Sequence, residues 1–239
     1  MPDAIGCVGL RSTGGMVVAL GSGFHLFDPQ AGTLHHIADP EADRPGNRFN
    51  DGKVSPDGRF FAGTMDKDLS RPTGALYRLD PDGAVTRVAS GFIVSNGLAW
   101  SPDGCTMYHS DSRRQVLSAW SYDAQTGAIA APRVIATPDE GVGRPDGGAT
   151  DMEGCYWSAG ISAGVLNRWS PDGRLLCRVP FPCTAPTMPC FGGPDLRRIY
   201  VTSARHAATA ADLARFPLCG GIFTVDVDVP GVPVAAFRG

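Results

Sequence analysis

The 239-residue chain has no apolar run approaching the roughly 20 residues that a bilayer-spanning helix needs, so a helical membrane protein is excluded. It lacks charge of one sign. Twenty-one basic and 24 acidic residues give a net charge of −3, and no basic stripe stands out, which argues against a nucleic-acid partner. Its seven cysteines include no CxxC pair, so neither a zinc cluster nor a disulfide scaffold is indicated, and reduced thiols in a cytoplasmic setting are expected. The opening MPDAIGCVGLRS has neither the charged start nor the apolar core of a signal peptide. GxSxG occurs once, as GISAG at Gly160–Gly164, but Ser162 there is not in the strand–turn–helix context of a serine hydrolase's elbow. No two histidines have the spacing that would place both on one helix face. Helical patterning is scarce too, and only Ala207–Arg215 (AATAADLAR) reads as a short helix.

What is abundant is punctuation: 31 glycines and 20 prolines. SPDG occurs at Ser55–Gly58, Ser101–Gly104 and Ser170–Gly173, DPDG at Asp80–Gly83, and looser forms begin at Asp28, Asp123 and Asp151. Aspartate bonds its own backbone and glycine accepts positive φ, so each is a turn with a mechanism. Short β-like runs flank them, as in RFFAGTM, TMYHSD and RIYVTSA. The turns fall into two interleaved series. One runs Gly15, Gly58, Gly104, Gly154 and the region of Arg197, at steps of 43, 46, 50 and about 43. The other runs Asp28, Asp80, Asp123, Ser170 and Asp226, at steps of 52, 43, 47 and 56. Two hairpins per 40–50 residues make one four-stranded propeller blade. The chain is therefore expected to be all-β, one β-propeller domain over residues 1–239 with five countable blades.

Eight residues before the glycine of three inner turns stand Asn50, Asn96 and Asp146, each followed by glycine directly or after one aspartate. Innermost strands line the propeller channel, so equivalent positions on successive blades converge. One carboxylate and two carboxamides are hard donors, suited to Ca²⁺, Mg²⁺ or Mn²⁺, with Zn²⁺ as a further candidate. Asx-turns at the strand starts would account for each residue singly, but not for the shared offset. Asp39, Glu41 and Asp43 lie outside this register.

Four segments in order, Asn47–Met65, Ser95–Gly104, Arg144–Ala159 and Cys190–Arg205, resemble the SMP-30/gluconolactonase (regucalcin-like) family over nearly the whole chain. The resemblance implies a six-bladed propeller with one divalent metal ion in its axial channel, and hydrolysis of sugar lactones. It implies that Asn96 and Asp146 are metal ligands and that Asp146 is the general base on water. It assigns Arg48 and Asn50 to substrate binding, with Asp68 as an acidic substrate contact. The family's third metal ligand is a glutamate in a GEGP-like motif of a first blade. No such motif occurs here, so an N-terminal blade is expected to be missing. A small sugar lactone is the expected partner, with no nucleic acid and no membrane. The alternatives are a non-catalytic calcium-binding or interaction propeller, an inactive shortened member, and a metal-dependent esterase acting on other esters.

Overall fold

The computed structural model of the chain describes Met1, Asp3–His206 and Ala208–Gly239. Five antiparallel sheets follow one another along the chain. The first holds β1 (Ile5–Leu10), β2 (Met16–Leu20), β3 (Gly23–Asp28) and β4 (Thr33–Ala38). The second holds β5 (Asn47–Val54), β6 (Phe60–Asp66), β7 (Gly74–Leu79) and β8 (Val85–Phe92). The third holds β9 (Ser95–Trp100), β10 (Thr106–Asp111), β11 (Val116–Asp123) and β12 (Ala128–Ala136). The fourth holds β13 (Pro145–Thr150), β14 (Tyr156–Gly160), β15 (Val165–Trp169) and β16 (Leu175–Pro180). The fifth has three strands, β17 (Pro186–Gly192), β18 (Arg198–Ser203) and β19 (Ile222–Asp226). These are the five blades expected from the two series of turns.

The Pro-Asp-Gly turns close as their chemistry dictates. The N–H of Gly58, Gly104 and Gly173 donates to the carbonyl of Ser55, Ser101 and Ser170 at 2.8–2.9 Å. The Gly83 and Gly154 N–H groups close on Asp80 and Asp151 in the same way, both at 2.9 Å. Two expectations are corrected. Asp226 ends β19 instead of opening an outer hairpin, because Pro230 and Pro233 carry no N–H for a fourth strand. The helix is shorter than expected, α1 (Ala210–Arg215). Thr209 and Asp212 close a capping box at its start, and Ala207 lies outside the described residues.

The residues after β19 leave the sheet and run beneath the inner strands. Val232 N–H donates to Thr150 O (2.9 Å) in the fourth sheet. Further on, Phe237 N–H donates to Leu10 O, and its carbonyl accepts from Ser12, both at 2.8 Å. Arg238 N–H reaches Gly58 O at 3.0 Å, and Arg11 Nε donates to Gly239 O at 2.8 Å. Phe237 is 1 % exposed, packed with Phe24, Phe49 and Phe60 between the first two sheets. This segment ties the fifth blade to the first. Above it, a cavity of about 400 Å³ opens between β1, β5 and β17, and Ile5, Val8 and Leu10 of β1 stay exposed.

The sheets pack through apolar faces, with a smaller number of polar side chains between them. All seven cysteines are free thiols, four of them buried (Cys7, Cys155, Cys183 and Cys219), as reduced packing residues should be. Glu41, in the connection from the first blade to the second, is buried. It accepts from Asn47 Nδ2 (2.6 Å), Tyr77 Oη (2.7 Å) and Thr64 Oγ1 (3.2 Å). Burial, followed by the Glu41 hydrogen bond, pushes the Tyr77 hydroxyl well above its usual range. Glu41 is thus a structural knot between two blades. Replacing Glu41 by Ala strands three donors and is expected to cost about 3 kcal/mol in urea unfolding, while Gln, which keeps one acceptor, costs less. Equal losses for the two variants would show that the hydrogen bonds are not what matters.

Among the described residues, no helix is long and apolar enough to cross a membrane.

Candidate functional site

Every inner strand carries a register shift at the same level. The shifts fall at Ile5/Cys7 in β1, Phe49/Gly52 in β5, opposite Tyr108/Ser110 in β9, Pro145/Gly148 in β13 and Pro186/Pro189 in β17. A β-bulge frees a residue from the ladder and re-aims its side chain. This is the physical origin of the shared offset in the sequence, since Asn50, Asn96 and Asp146 all lie within or beside a bulge. The glycines that follow are needed for clearance as well as for turning. Gly97 has φ +65°, and a Cβ there would collide with the hydroxyl of Tyr156, which donates to Gly97 O at 2.7 Å. The first and fifth bulges carry Gly6 and Thr187–Met188, so they bring no carboxylate or carboxamide to the axis.

Asn96 Nδ2 donates to Asp146 Oδ1 and to Ser112 Oγ (3.0 Å), so two of the expected residues meet directly. Burial, then the negative charge of Asp51, pushes the Asp146 carboxyl up to about 7, while the Asn96 hydrogen bond opposes this. Asn50 stands beside them but is turned differently. Its Nδ2 donates to Ser95 O (3.0 Å), and its Oδ1 accepts from Arg48 Nη1 (3.3 Å). Arg48 Nη1 also donates to Phe49 O at 2.8 Å. A run of contacts thus leads from Arg48 through Asn50 and Ser95 to the Asn96–Asp146 pair. Asp68 is not in this cluster. It lies on the loop from β6 to β7, its side chain 79 % exposed and 3.7 Å from Arg71. That loop packs against the start of β5, where the Lys67 N–H donates to Gly46 O at 2.9 Å.

Two axial residues escaped the sequence reading. Asp51, the second residue of the β5 bulge, is buried and accepts from the N–H groups of Gly52 (2.8 Å) and Leu98 (3.2 Å). Lys53 Nζ donates to Gly148 O, crossing from the second blade to the fourth. Burial raises the Asp51 carboxyl and lowers the Lys53 ammonium, and the attraction between the two partly offsets both shifts. The signal available was the NDGK string itself, in which a bulge frees two consecutive side chains instead of one.

His109 lies behind this layer, 2 % exposed. Its Nε2 shares a 2.8 Å hydrogen bond with Ser95 Oγ, and the Phe92 ring packs against it at 4.5 Å. Burial depresses it to about 3, below the ordinary value of about 6.5. Between these values the unfolded chain binds the proton and the folded chain does not. Stability is therefore complete above pH 6.5 and falls as the pH drops towards 3, by about 1.4 kcal/mol per unit. Urea unfolding at pH 5 is expected to show a loss of about 2 kcal/mol relative to pH 7 from this residue, and His109→Gln removes that part of the slope. An unchanged slope in the variant would place the acid sensitivity elsewhere.

Among the described residues, no group of three His, Cys, Asp or Glu side chains is set to hold a metal ion. What the channel offers is one carboxylate and one carboxamide in contact, beside a second buried carboxylate whose charge Lys53 attracts without an ion-pair contact. Two hard oxygen-donor side chains next to excess negative charge fit a hard divalent cation. Nitrogen and sulfur donors, which zinc usually takes, are not among them.

Comparison with known proteins identifies the family. Residues 1–205 match the SMP-30/Gluconolactonase/LRE-like region. The chain is 42 % identical over 241 residues to the 6-deoxy-6-sulfogluconolactonase of Pseudomonas putida, covering 100 % of this chain and 82 % of that protein. It is 38 % identical to regucalcin of Xenopus laevis, covering 98 % of this chain and 81 % of the relative. The crystal structure of the calcium-binding protein regucalcin from Agrobacterium tumefaciens superposes with a TM-score of 0.94 at 31 % identity, over 100 % of this chain and 81 % of that one. Motifs, bulged inner strands and these matches agree, and the chain belongs to the SMP-30/gluconolactonase/LRE-like family.

Proposed function

We propose that this protein hydrolyses sugar lactones with the help of a divalent cation. The observation that carries the reading is the Asn96–Asp146 contact on the channel axis, with a carboxyl pushed up to about 7 beside the donors of Arg48 and Asn50. The names of the relatives support the substrate class, one being a sulfogluconolactonase and others regucalcins.

A hard cation held by Asn96 and Asp146, of the Ca²⁺, Mg²⁺ or Mn²⁺ kind, would polarise the lactone carbonyl. Asp146 takes a proton from water as its oxygen adds to the carbonyl carbon, then returns it to the ring oxygen as the C–O bond breaks. Arg48 and Asn50 hold the ring against that carboxylate and so supply orientation. Asp68, on the exposed loop at the same end of the inner strands, contacts the outer part of the substrate. Asp51 and Lys53 support the floor of the site by tying three blades together. In the complete ring of the family type, a sixth blade would occupy the opening between β1 and β17.

The test is acid release from D-glucono-δ-lactone, followed with a pH indicator and corrected for spontaneous opening. Hydrolysis that stops with a chelator and returns with one added cation is the expected result. Cation binding without turnover of any lactone would favour the calcium-binding reading instead, and turnover confined to other esters would favour the esterase.

A further inference from the structure

The chain leaves the second strand of every blade in the same way. The first residue beyond that strand donates its backbone N–H to the carbonyl just before the inner strand, at 2.8–3.2 Å in all five blades. Those residues are Gly21, Lys67, Ser112, Ile161 and Ala204. The backbone is thus common to the five positions, and the side chains are not. Ser112 is the one buried residue among them, 8 % exposed, and the one with a hydroxyl. It belongs to the third blade, whose inner-strand bulge carries Asn96.

Ser112 is fixed from its own strand end. Asp111, 4 % exposed, accepts from the N–H groups of Ile93 (2.9 Å) and Val94 (3.2 Å) on one side. On the other it accepts from those of Arg113 (3.2 Å) and Arg114 (3.3 Å). One carboxylate therefore pins the entry of β9 to the turn that Ser112 opens. The hydroxyl so placed meets the Asn96 amide, whose Nδ2 donates to Ser112 Oγ at 3.0 Å.

A carboxamide has a right and a wrong end for a cation. Its oxygen is a hard ligand, while its NH₂ group carries two donor hydrogens and repels positive charge. One of the Asn96 hydrogens goes to Asp146 and the other to Ser112. A cation seated between Asn96 and Asp146 displaces the first of these bonds and leaves the second in place. Asn96 Oδ1 is engaged only by the N–H of Gly97, at 3.2 Å, among the described residues, which leaves it a lone pair for the ion. Without an acceptor to hold the nitrogen aside, either end of the amide could face the ion.

We infer that Ser112 is a positioning residue for the cation: it holds the Asn96 amide nitrogen so that the oxygen is the end presented to the ion. Ser112 is not itself a ligand and takes no part in the proton transfers. The inference rests on the cation-assisted reading of the site and concerns the ion, not the lactone.

The experiment measures Mn²⁺ affinity without substrate, from the loss of the free-ion electron paramagnetic resonance signal as protein is added. Ser112→Ala is expected to weaken binding by about 10–100-fold, the usual cost of removing a group that orients a metal ligand. Ser112→Thr keeps the hydroxyl and should recover most of that loss. The decisive arm repeats Ser112→Ala in an Asn96→Asp background. There both ends of the side chain are oxygen, so nothing is left to orient and the loss should shrink to about threefold or less. An affinity unchanged by Ser112→Ala overturns the inference. An equal loss in both backgrounds overturns it too, because the substitution then loosens the turn instead of freeing the amide. A wild-type protein that leaves the Mn²⁺ signal undiminished does the same, and the hydrolysis assay then judges the lactonase reading by itself. Ser112-dependent binding with no lactone hydrolysed would end the lactonase reading and keep the inference. Cation-dependent hydrolysis with binding indifferent to Ser112 would do the reverse.

Discussion

Replacing Asp146 by Asn is expected to lower kcat/KM for lactone hydrolysis by about 10²–10⁴-fold, the usual contribution of a positioned general base. The substitution keeps the size of the side chain and an oxygen that can still accept from Asn96, so the fold should persist. What disappears is the proton acceptor and the formal negative charge next to the proposed cation site. Two readouts separate these roles. If the charge matters only for holding the cation, saturating concentrations of the ion restore turnover to the variant. If Asp146 is the base, saturation leaves the defect in kcat. A variant with wild-type kcat/KM at ordinary cation concentration would remove Asp146 from the mechanism. Because Asp51 contributes to the raised carboxyl of Asp146, Asp51→Asn is the natural companion, and any effect it has should act through that neighbour.

The second large effect concerns the segment beneath the channel. Phe237→Ala is expected to destabilise the protein by about 3–5 kcal/mol, as for other fully buried aromatic side chains cut back to a methyl group. Its ring fills the space shared by Phe24, Phe49 and Phe60, while its backbone bonds Leu10 and Ser12. Loss of the ring therefore weakens both the core of the first two blades and the tie to the fifth. Urea unfolding measures the change. Val234→Ala, in the same segment but 55 % exposed, serves as the control and should stay within about 0.5 kcal/mol of wild type. If the two variants fall together, the segment is a passive tail and the blades hold without it.

Much of this was legible in the residues. Turn chemistry is local, so SPDG and DPDG announced their hairpins, and the spacing of the turns announced five blades. The eight-residue offset located Asn50, Asn96 and Asp146 because a bulge recurs at one level of every inner strand. What stayed hidden depends on direction or on distance. The sequence places Asn50 in register with the other two, but its amide is drawn aside by Arg48 and the Ser95 carbonyl, bonds whose partners lie outside the NDG string. Lys53 reads as an ordinary strand lysine, and only the ring geometry brings its ammonium to Gly148, 95 residues away. Asp226 continued the outer series in spacing, yet the prolines after it send the chain under the propeller rather than into a fourth strand. Asp68 came from the resemblance alone, and its exposed loop position leaves its part to be tested on substrate.

The arrangement of the closing segment also bears on how the protein is made. Arg11 and Gly239 are joined by a hydrogen bond although 228 residues separate them. Each blade is a local hairpin stack that can form soon after it leaves the ribosome, but the first and last cannot be fastened until residues 231–239 have been synthesised. During translation the nascent chain is thus an unfastened row of blades, without the backbone bonds that Phe237 makes to Leu10 and Ser12. The interval before fastening is the period in which a chaperone would be needed most. Slowing elongation would lengthen that interval rather than help the protein fold.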